Sequence, residues 1–286
     1  MSVHSSAPHT FDPGYYTIPQ NWQNFTAAEH ARWDSLFARQ KAQLADRAAP
    51  AFLDGIEILN LSKGGVPEFK ELSERLSRKT GWEVVAVPGL VPDEVFFRYL
   101  ASRCFPAGNF IRAESQMDYL EEPDVFHDVF GHVPLLANTV LADYMQAYGE
   151  AGLRSLKFAS LEKLARLYWY TVEFGLIQTK KGLKIFGAGI VSSRGESEFS
   201  LNSQSPNRIG FSLKRVLRTK YQIDDYQKTY FVIDSFEALL AETLETDFAP
   251  LYQELKTASD FCADELIPSD RVITHGSQLR GRSLER

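Results

Sequence analysis

Two histidines stand five positions apart in the segment EEPDVFHDVFGHVPLL, at His127 and His132. The other four, His4, His9, His30 and His275, lie toward the ends of the chain. Neutral imidazole is a common metal ligand, and a pair within one short segment points to a metal site. A straight α-helix would leave side chains five residues apart about 140° from each other around its axis. The sequence predicts a break instead. Gly131 suits a left-handed helix cap, and Pro134 opposes resumption of the helix. On that reading His127 occupies the last turn of a short helix opened by Pro123, and His132 folds back beside it.

A site with two imidazoles needs a further protein ligand. In KLARLYWYTVEFGLIQ (163–178), Glu173 sits among Trp169, Tyr170, Val172, Phe174, Leu176 and Ile177. No basic residue stands three or four positions away to pair with it along a helix. A carboxylate in such surroundings needs a counter-charge, and burial without one predicts a raised pKa. A cation would meet that need. Two imidazoles and one carboxylate form the facial triad of non-haem iron(II) oxygenases, with positions left open for water, dioxygen or a cosubstrate. The same donors hold zinc in hydrolases, where Asp128 beside His127 would be the base. A catalytically inactive binding protein is the third reading. Residue types alone leave all three open.

Positioning this centre requires a frame, and capping signals mark it. Thr26 and Glu29 have the spacing of a capping box, which predicts a helix to about Asp46. A second helix is expected from Pro67 to Thr80, closed by Gly81, and a third from Pro92 to about Cys104. Residues 136–150 and 160–178 read as long amphipathic helices. LKIFGAGIVSS (183–193) is β-branched and glycine-rich, and predicts short strands or a hairpin. TYFVI (229–233) reads as a strand and SFEALLAETLE (235–245) as a helix. The expected fold is mainly α (α+β), a single compact helical domain with a small β component. An arm is expected at 1–25, the body at 26–255 and a partly flexible C-terminal extension at 256–286.

The composition agrees with a globular chain. The 286 residues are 44% hydrophobic, 24% charged and 13% aromatic, which excludes a disordered chain or a fibrous repeat. The net charge of -6 offers no general attraction to nucleic acid or an anionic membrane. No run approaches the roughly 20 apolar residues of a membrane-spanning helix. The N-terminus has neither the basic start nor the apolar stretch of a signal peptide. Two cysteines, Cys104 and Cys262, are too few for a disulfide framework, and the expected location is cytoplasmic. Gly187-Ala188-Gly189 begins like a dinucleotide fingerprint but lacks the third glycine and a surrounding βαβ unit.

PDVFHDVFGHVPLL, YWYTVEFGL and GAGIVSSRGE, in this order and spacing, resemble the pterin-dependent aromatic amino acid hydroxylases, siding with the short bacterial phenylalanine 4-monooxygenases. The resemblance runs from about Phe11 to about Leu255. It implies that 26–255 is a catalytic domain in which His127, His132 and Glu173 bind iron(II). It implies tetrahydrobiopterin as cosubstrate, stacked on Phe96, meeting the chain at Gly89, Leu90 and Val91, and faced by Asp128 and Tyr168. Dioxygen is the oxidant, and L-phenylalanine is converted to L-tyrosine, a step of phenylalanine catabolism. Arg112 would receive the amino acid's carboxylate, for which its planar fork is suited. Pro123, Trp169, Ser192 and Ser193 would line the substrate pocket, and Glu196 would orient a metal-bound histidine. In the family, tyrosine-hydroxylating members carry Asp at the position of Val232, and tryptophan-hydroxylating members carry Phe at that of Trp169. Both positions side with phenylalanine here. Compared with the longer animal enzymes, the chain offers no room ahead of its catalytic part for a regulatory domain, and no heptad helix after it. A monomer without phenylalanine-triggered control is therefore expected. Asp128 stands where those enzymes carry Glu.

Overall fold

The structure, a computed structural model, describes residues 16–118, 122–158 and 160–277. Thr26 caps α1 (Ala27–Leu44) in the expected reciprocal box: its hydroxyl accepts the Glu29 N–H, and Glu29 accepts the Thr26 N–H at 2.7 Å. α1 buries Trp33, Leu36, Phe37 and Leu44. α2 (Pro50–Ile58) opens on proline, where the missing N–H costs nothing. α3 (Phe69–Thr80) ends on Gly81 at φ 76°, a left-handed cap that glycine adopts without strain. β1 (Glu83–Val87), α4 (Asp93–Ala101) and β2 (Cys104–Gly108) follow, and the two strands pair in parallel from Glu83↔Cys104 to Val87↔Gly108. A parallel pair needs a crossover, and α4 supplies it. The sequence reading predicted neither β1 nor β2, and the proline and small residues of β2 resemble a loop.

Phe126–His132 forms a π-helix, which passes into a 3₁₀ turn at Val133–Ala137 and then α5 (Thr139–Leu156). α6 (Leu161–Tyr168) runs into a second π-helix, Trp169–Glu173. The helix expected to reach 178 therefore stops at Glu173. β3 (Leu176–Thr179) follows, and turns back through β4 (Gly182–Ile185). The strand reading of 183–193 holds only for its first residues. Ala188–Val191 is the short helix α7, because the chain past Gly187 packs against the first π-helix.

α8 (Arg194–Asn202), β5 (Asn207–Gly210), α9 (Leu213–Leu217), β6 (Thr229–Ile233), α10 (Phe236–Glu245), α11 (Phe248–Leu255) and β7 (Val272–Thr274) complete the described chain. Five strands form one mixed sheet in the order β4-β3-β6-β5-β7. Its middle strand β6 is wholly buried and parallel to both neighbours. Helices dominate, as the α+β reading expected.

Behind the first π-helix, Phe126 and Phe130 stack at 4.8 Å. Trp33 meets Phe126 edge-on at 5.3 Å, and Phe37 and Phe52 meet Phe130 edge-on at 5.6 Å each. This aromatic block packs the π-helix against α1 and α2. The boundary expected at residue 255 is crossed by firm contacts: β7 pairs with β5, and Arg215 binds Asp270 at 2.9 Å with both side chains buried. At the other end, Ile18 N–H bonds Ala86 O at 2.9 Å and Trp22 Nε1–H bonds Val66 O at 2.6 Å. Residues 1–15 and 278–286, parts of the expected arm and extension, lie outside the described residues. Among the described residues no helix is long and apolar enough to cross a membrane.

Candidate active site

The wide turn of the π-helix brings the two histidines together. Its hydrogen bonds join residues five apart rather than four, so a side chain five positions on returns to the same side. His127 Nε2 and His132 Nε2 are 3.3 Å apart. Glu173, at the end of the second π-helix, closes the group: its Oε1 is 3.2 Å from His132 Nε2 and its Oε2 is 3.7 Å from His127 Nε2. One ligand atom from each residue lies within 4.8 Å of the others.

The left-handed cap expected at Gly131 is absent, since positive φ among the described glycines occurs at Gly64, Gly65, Gly81 and Gly182. Gly131 answers a spatial need. A Cβ there would stand 3.0 Å from Ala188 O and 3.1 Å from Ala188 Cβ on α7. Pro134 sits in the first turn of the 3₁₀ segment, where it breaks no helical hydrogen bond. The histidines thus meet because the helix widens, not because it stops.

His127 Nδ1 lies 3.0 Å from Ser192 Oγ, whose own O–H is directed to Ala188 O at 2.7 Å. The hydroxyl therefore accepts the Nδ1–H, which leaves Nε2 with a bare lone pair toward the centre. Burial, acting against the pull of Glu173, lowers the His127 pKa to about 4, so the ring is neutral near pH 7 and able to bind a cation. Burial pushes the Glu173 carboxyl up, but His132 and His127 beside it, with hydrogen bonds from His132 and the Gly189 N–H, hold it below the ordinary value. The raised pKa expected from its apolar sequence neighbours is reversed by these partners. Two imidazoles and an ionised carboxylate are a donor set that suits iron or zinc.

The centre opens on a cavity of about 620 Å³. Arg112, Pro123, Trp169, Ser192, Ser193 and Glu196 line it together with His127 and Glu173. Val232 does not. It is fully buried in β6, paired with Leu176 and Gly210, so its side chain belongs to the core rather than to the cavity lining. Arg112 is also not a free clamp. Its Nε and Nη2 bind Asp124 at 2.9 and 2.8 Å, and its backbone N–H binds the same carboxylate at 2.8 Å. Asp124, with no exposed surface, takes the His127 N–H as well, at 3.0 Å. Burial opposes its ionisation, and the Arg112 guanidinium more than offsets this, holding the carboxyl below the usual range.

Glu196 was expected to orient a metal-bound histidine, but its hydrogen bonds run to the Tyr230 hydroxyl and the Gln227 N–H, and Ser192 is the residue that holds His127. Burial raises the Glu196 pKa to about 7. Asp128 accepts the Gly108 N–H at 2.7 Å, tying the π-helix to β2, and burial raises its pKa to about 7. The other expected pterin residues stand outside the large cavity. Phe96 meets Tyr168 edge-on at 5.6 Å, and Tyr168 stacks 6.1 Å from His132. Gly89 is half-buried and close to Glu122, Val91 is half-buried, and Leu90 is 79% exposed. Sequence reasoning missed Asp124 and Gln227. Asp124 stands three residues before His127 and accepts its N–H, the pattern of a helix N-cap that could have been read. Gln227 carried no local signal.

Known proteins resemble this chain over most of its length. The profile of the biopterin-dependent aromatic amino acid hydroxylase family matches residues 15–261. A phenylalanine-4-hydroxylase from Caulobacter vibrioides is 57% identical over 263 residues, spanning 92% of this chain and 89% of the relative. One from Chromobacterium violaceum is 51% identical over 267 residues, spanning 93% and 90%. A crystal structure of the Chromobacterium violaceum phenylalanine hydroxylase with iron and phenylalanine bound superposes with a TM-score of 0.87 at 50% identity, covering 92% of this chain and 95% of that one. With its paired histidines, its glutamate and nearly its whole length in register, the chain belongs to the biopterin-dependent aromatic amino acid hydroxylases.

Proposed function

We propose that the protein is an iron(II)- and tetrahydrobiopterin-dependent monooxygenase that converts L-phenylalanine to L-tyrosine with dioxygen. The observation that carries this is the His127–His132–Glu173 group opening directly on a cavity lined by Arg112 and Trp169. The three side chains would hold the iron, which with the reduced pterin supplies the electrons that activate dioxygen. Ser192 keeps His127 in the tautomer that offers Nε2. Arg112 spends Nε and Nη2 on Asp124, so Nη1 is the arm left for the substrate's carboxylate. Trp169 and Phe174, with ring centroids 4.7 Å apart, give the cavity an apolar aromatic wall for a phenyl ring. Phe96 and Tyr168, with Gly89, Leu90, Val91 and Asp128, form the pterin side. Pro123 and Ser193 complete the substrate side.

The cytoplasmic reading rests on the free thiols Cys104 and Cys262, and the monomeric one on residues 246–286, where Pro250 and Pro268 interrupt any long heptad helix. Light scattering of the purified protein tests the monomer. For the activity, the iron-loaded protein is given L-phenylalanine, a reduced tetrahydropterin and air. Tyrosine formed in step with pterin oxidation is the expected result. Preferential retention of zinc over iron(II) after anaerobic loading would favour the hydrolase, and iron binding without tyrosine formation would favour a binding protein.

A further inference from the structure

We propose that Gln227 is a positioning residue for the substrate ring: it fixes the plane of Trp169 and so sets which aromatic side chain the cavity accepts. The inference rests on the reading of this cavity as the amino acid site. Gln227 lies two residues before β6 and is 3% exposed. Its Oε1 accepts the Trp169 Nε1–H at 2.8 Å. Its Nε2 donates to Gln222 O at 3.0 Å and, more weakly, to Asp225 O at 3.5 Å. Its backbone N–H reaches Glu196 Oε1 at 3.4 Å. The amide orientation is unambiguous, because indole N–H only donates and backbone carbonyls only accept.

Gln227 therefore joins three walls of the cavity, two through its side chain and the third through its backbone N–H. These are Trp169 on the second π-helix, the loop whose carbonyls it holds and which presents Ile223 and Tyr226, and Glu196 on α8. The other ring contacts of Trp169 are flat or tilted stacks, on Tyr221 at 4.3 Å and Phe174 at 4.7 Å. Stacks of this kind permit sliding in the ring plane. The hydrogen bond to Gln227 removes that freedom and matches the indole to a pocket of one width. An indole left without this acceptor would move to find another partner, since an unpaired N–H in a half-buried place is unfavourable.

The first measurement needs no variant. In the iron-free wild type, ¹⁵N spectra report solvent exchange of the Trp169 indole N–H, assigned by its loss in Trp169→Phe. Protection from exchange is expected, and exchange at the rate of an exposed indole overturns the proposal. The second measurement compares kcat/KM for L-phenylalanine and L-tryptophan. Gln227→Leu keeps the bulk and removes both polar arms. Its preference for phenylalanine is expected to fall about tenfold, mainly through KM, while its iron content stays that of the wild type. In the Trp169→Phe background the same substitution should leave the preference where Trp169→Phe put it, because no indole N–H remains to be held. A drop of equal size in both backgrounds would make Gln227 a general packing residue and sink the proposal. A protected indole in a wild type that forms no tyrosine would fail the functional reading while leaving the geometry of Trp169 intact.

Discussion

Arg112 and Asp124 act as one unit, and this changes what a substitution does. Arg112→Ala would leave Asp124 charged, fully buried and without its guanidinium. Breaking a buried pair from one side costs about 3–5 kcal/mol. The variant should therefore unfold at clearly lower urea than the wild type and also show a raised KM for phenylalanine. The double variant Arg112→Met/Asp124→Asn should recover much of the lost stability but none of the substrate affinity. Glu173 is the second case. Its folded pKa lies below the ordinary value of 4.5, so its ionised form stabilises the apoprotein above that pH, and the contribution fades as pH falls through the folded value. Apo Glu173→Gln should accordingly be less stable than apo wild type near pH 7, with the gap closing in acid. Iron(II) should raise the melting temperature of the wild type much more than that of the variant, since a ligand stabilises only as far as it binds. Anaerobic thermal unfolding across pH checks both statements, and an equal increment from iron in the two proteins would remove Glu173 from the ligand set.

At the scale of elements, two π-helices carry all three candidate ligands, and α7 lies against both. Each π-helix gives up favourable α-helical geometry, and such segments occur often at functional sites. α7 locks them. Its Ala188 O accepts from the Ser192 hydroxyl that holds His127, while Gly189 donates its N–H to Glu173. A Cβ on Gly189 would stand 2.9 Å from Phe174 Cζ and 3.1 Å from Glu173 Oε2. These two are side-chain tips that can yield, whereas Glu173 O, at 3.2 Å, is backbone and must give by a few tenths of an ångström. Gly189→Ala should therefore fold with a stability loss of about 1–3 kcal/mol, while its iron affinity falls by roughly ten- to a hundredfold, the range seen when the support of a ligand is disturbed. Isothermal titration with iron(II) under nitrogen gives the affinity. An unchanged affinity would show that Glu173 does not depend on α7 for its place.

Across the whole molecule, the segment after α11 returns to clamp the body. Asp260 binds Arg166 at 2.8 Å and also pairs with Lys163, both on α6, the helix that leads into Glu173. Hydrogen bonds from Arg166 and Lys163 lower the Asp260 pKa from 3.8 to about 2. The pairing thus stabilises the fold above pH 3.8 and loses this effect as pH drops toward 2. Allowing for solvent screening, Asp260→Asn should cost on the order of 1–2 kcal/mol near pH 7. Urea unfolding of both proteins at a series of pH values should show the difference shrinking below pH 3.8. A constant difference would mean that shape rather than charge holds this contact. The ring of Phe261, next in the chain, meets the Arg215 and Arg218 guanidiniums at 4.4 and 4.1 Å, which adds a second anchor.

His127, His132 and Glu173 were legible in the sequence because ligand chemistry resides in residue type, and because no local basic partner accounted for Glu173. The box at Thr26 and Glu29 and the cap at Gly81 were legible because they depend on residues within one turn of each other. The sheet strand at 229–233 and the helix at 236–245 could be read from period and capping in the same way. What the tertiary structure alone decided is how these residues face one another. The π-turn that unites the histidines depends on an aromatic block from α1 and α2 on one side and on Ala188 on the other. Ser192, which sets the His127 tautomer, is 65 residues away. Glu173 has a lowered rather than a raised pKa because His132, His127 and the Gly189 N–H reach it from other segments. Arg112 is shared with Asp124, Val232 is buried in the sheet, and Glu196 turns to Tyr230 and Gln227 instead of a histidine. Local pattern records what a residue can do, whereas hydrogen bonds and burial between distant segments determine which of those capacities is used.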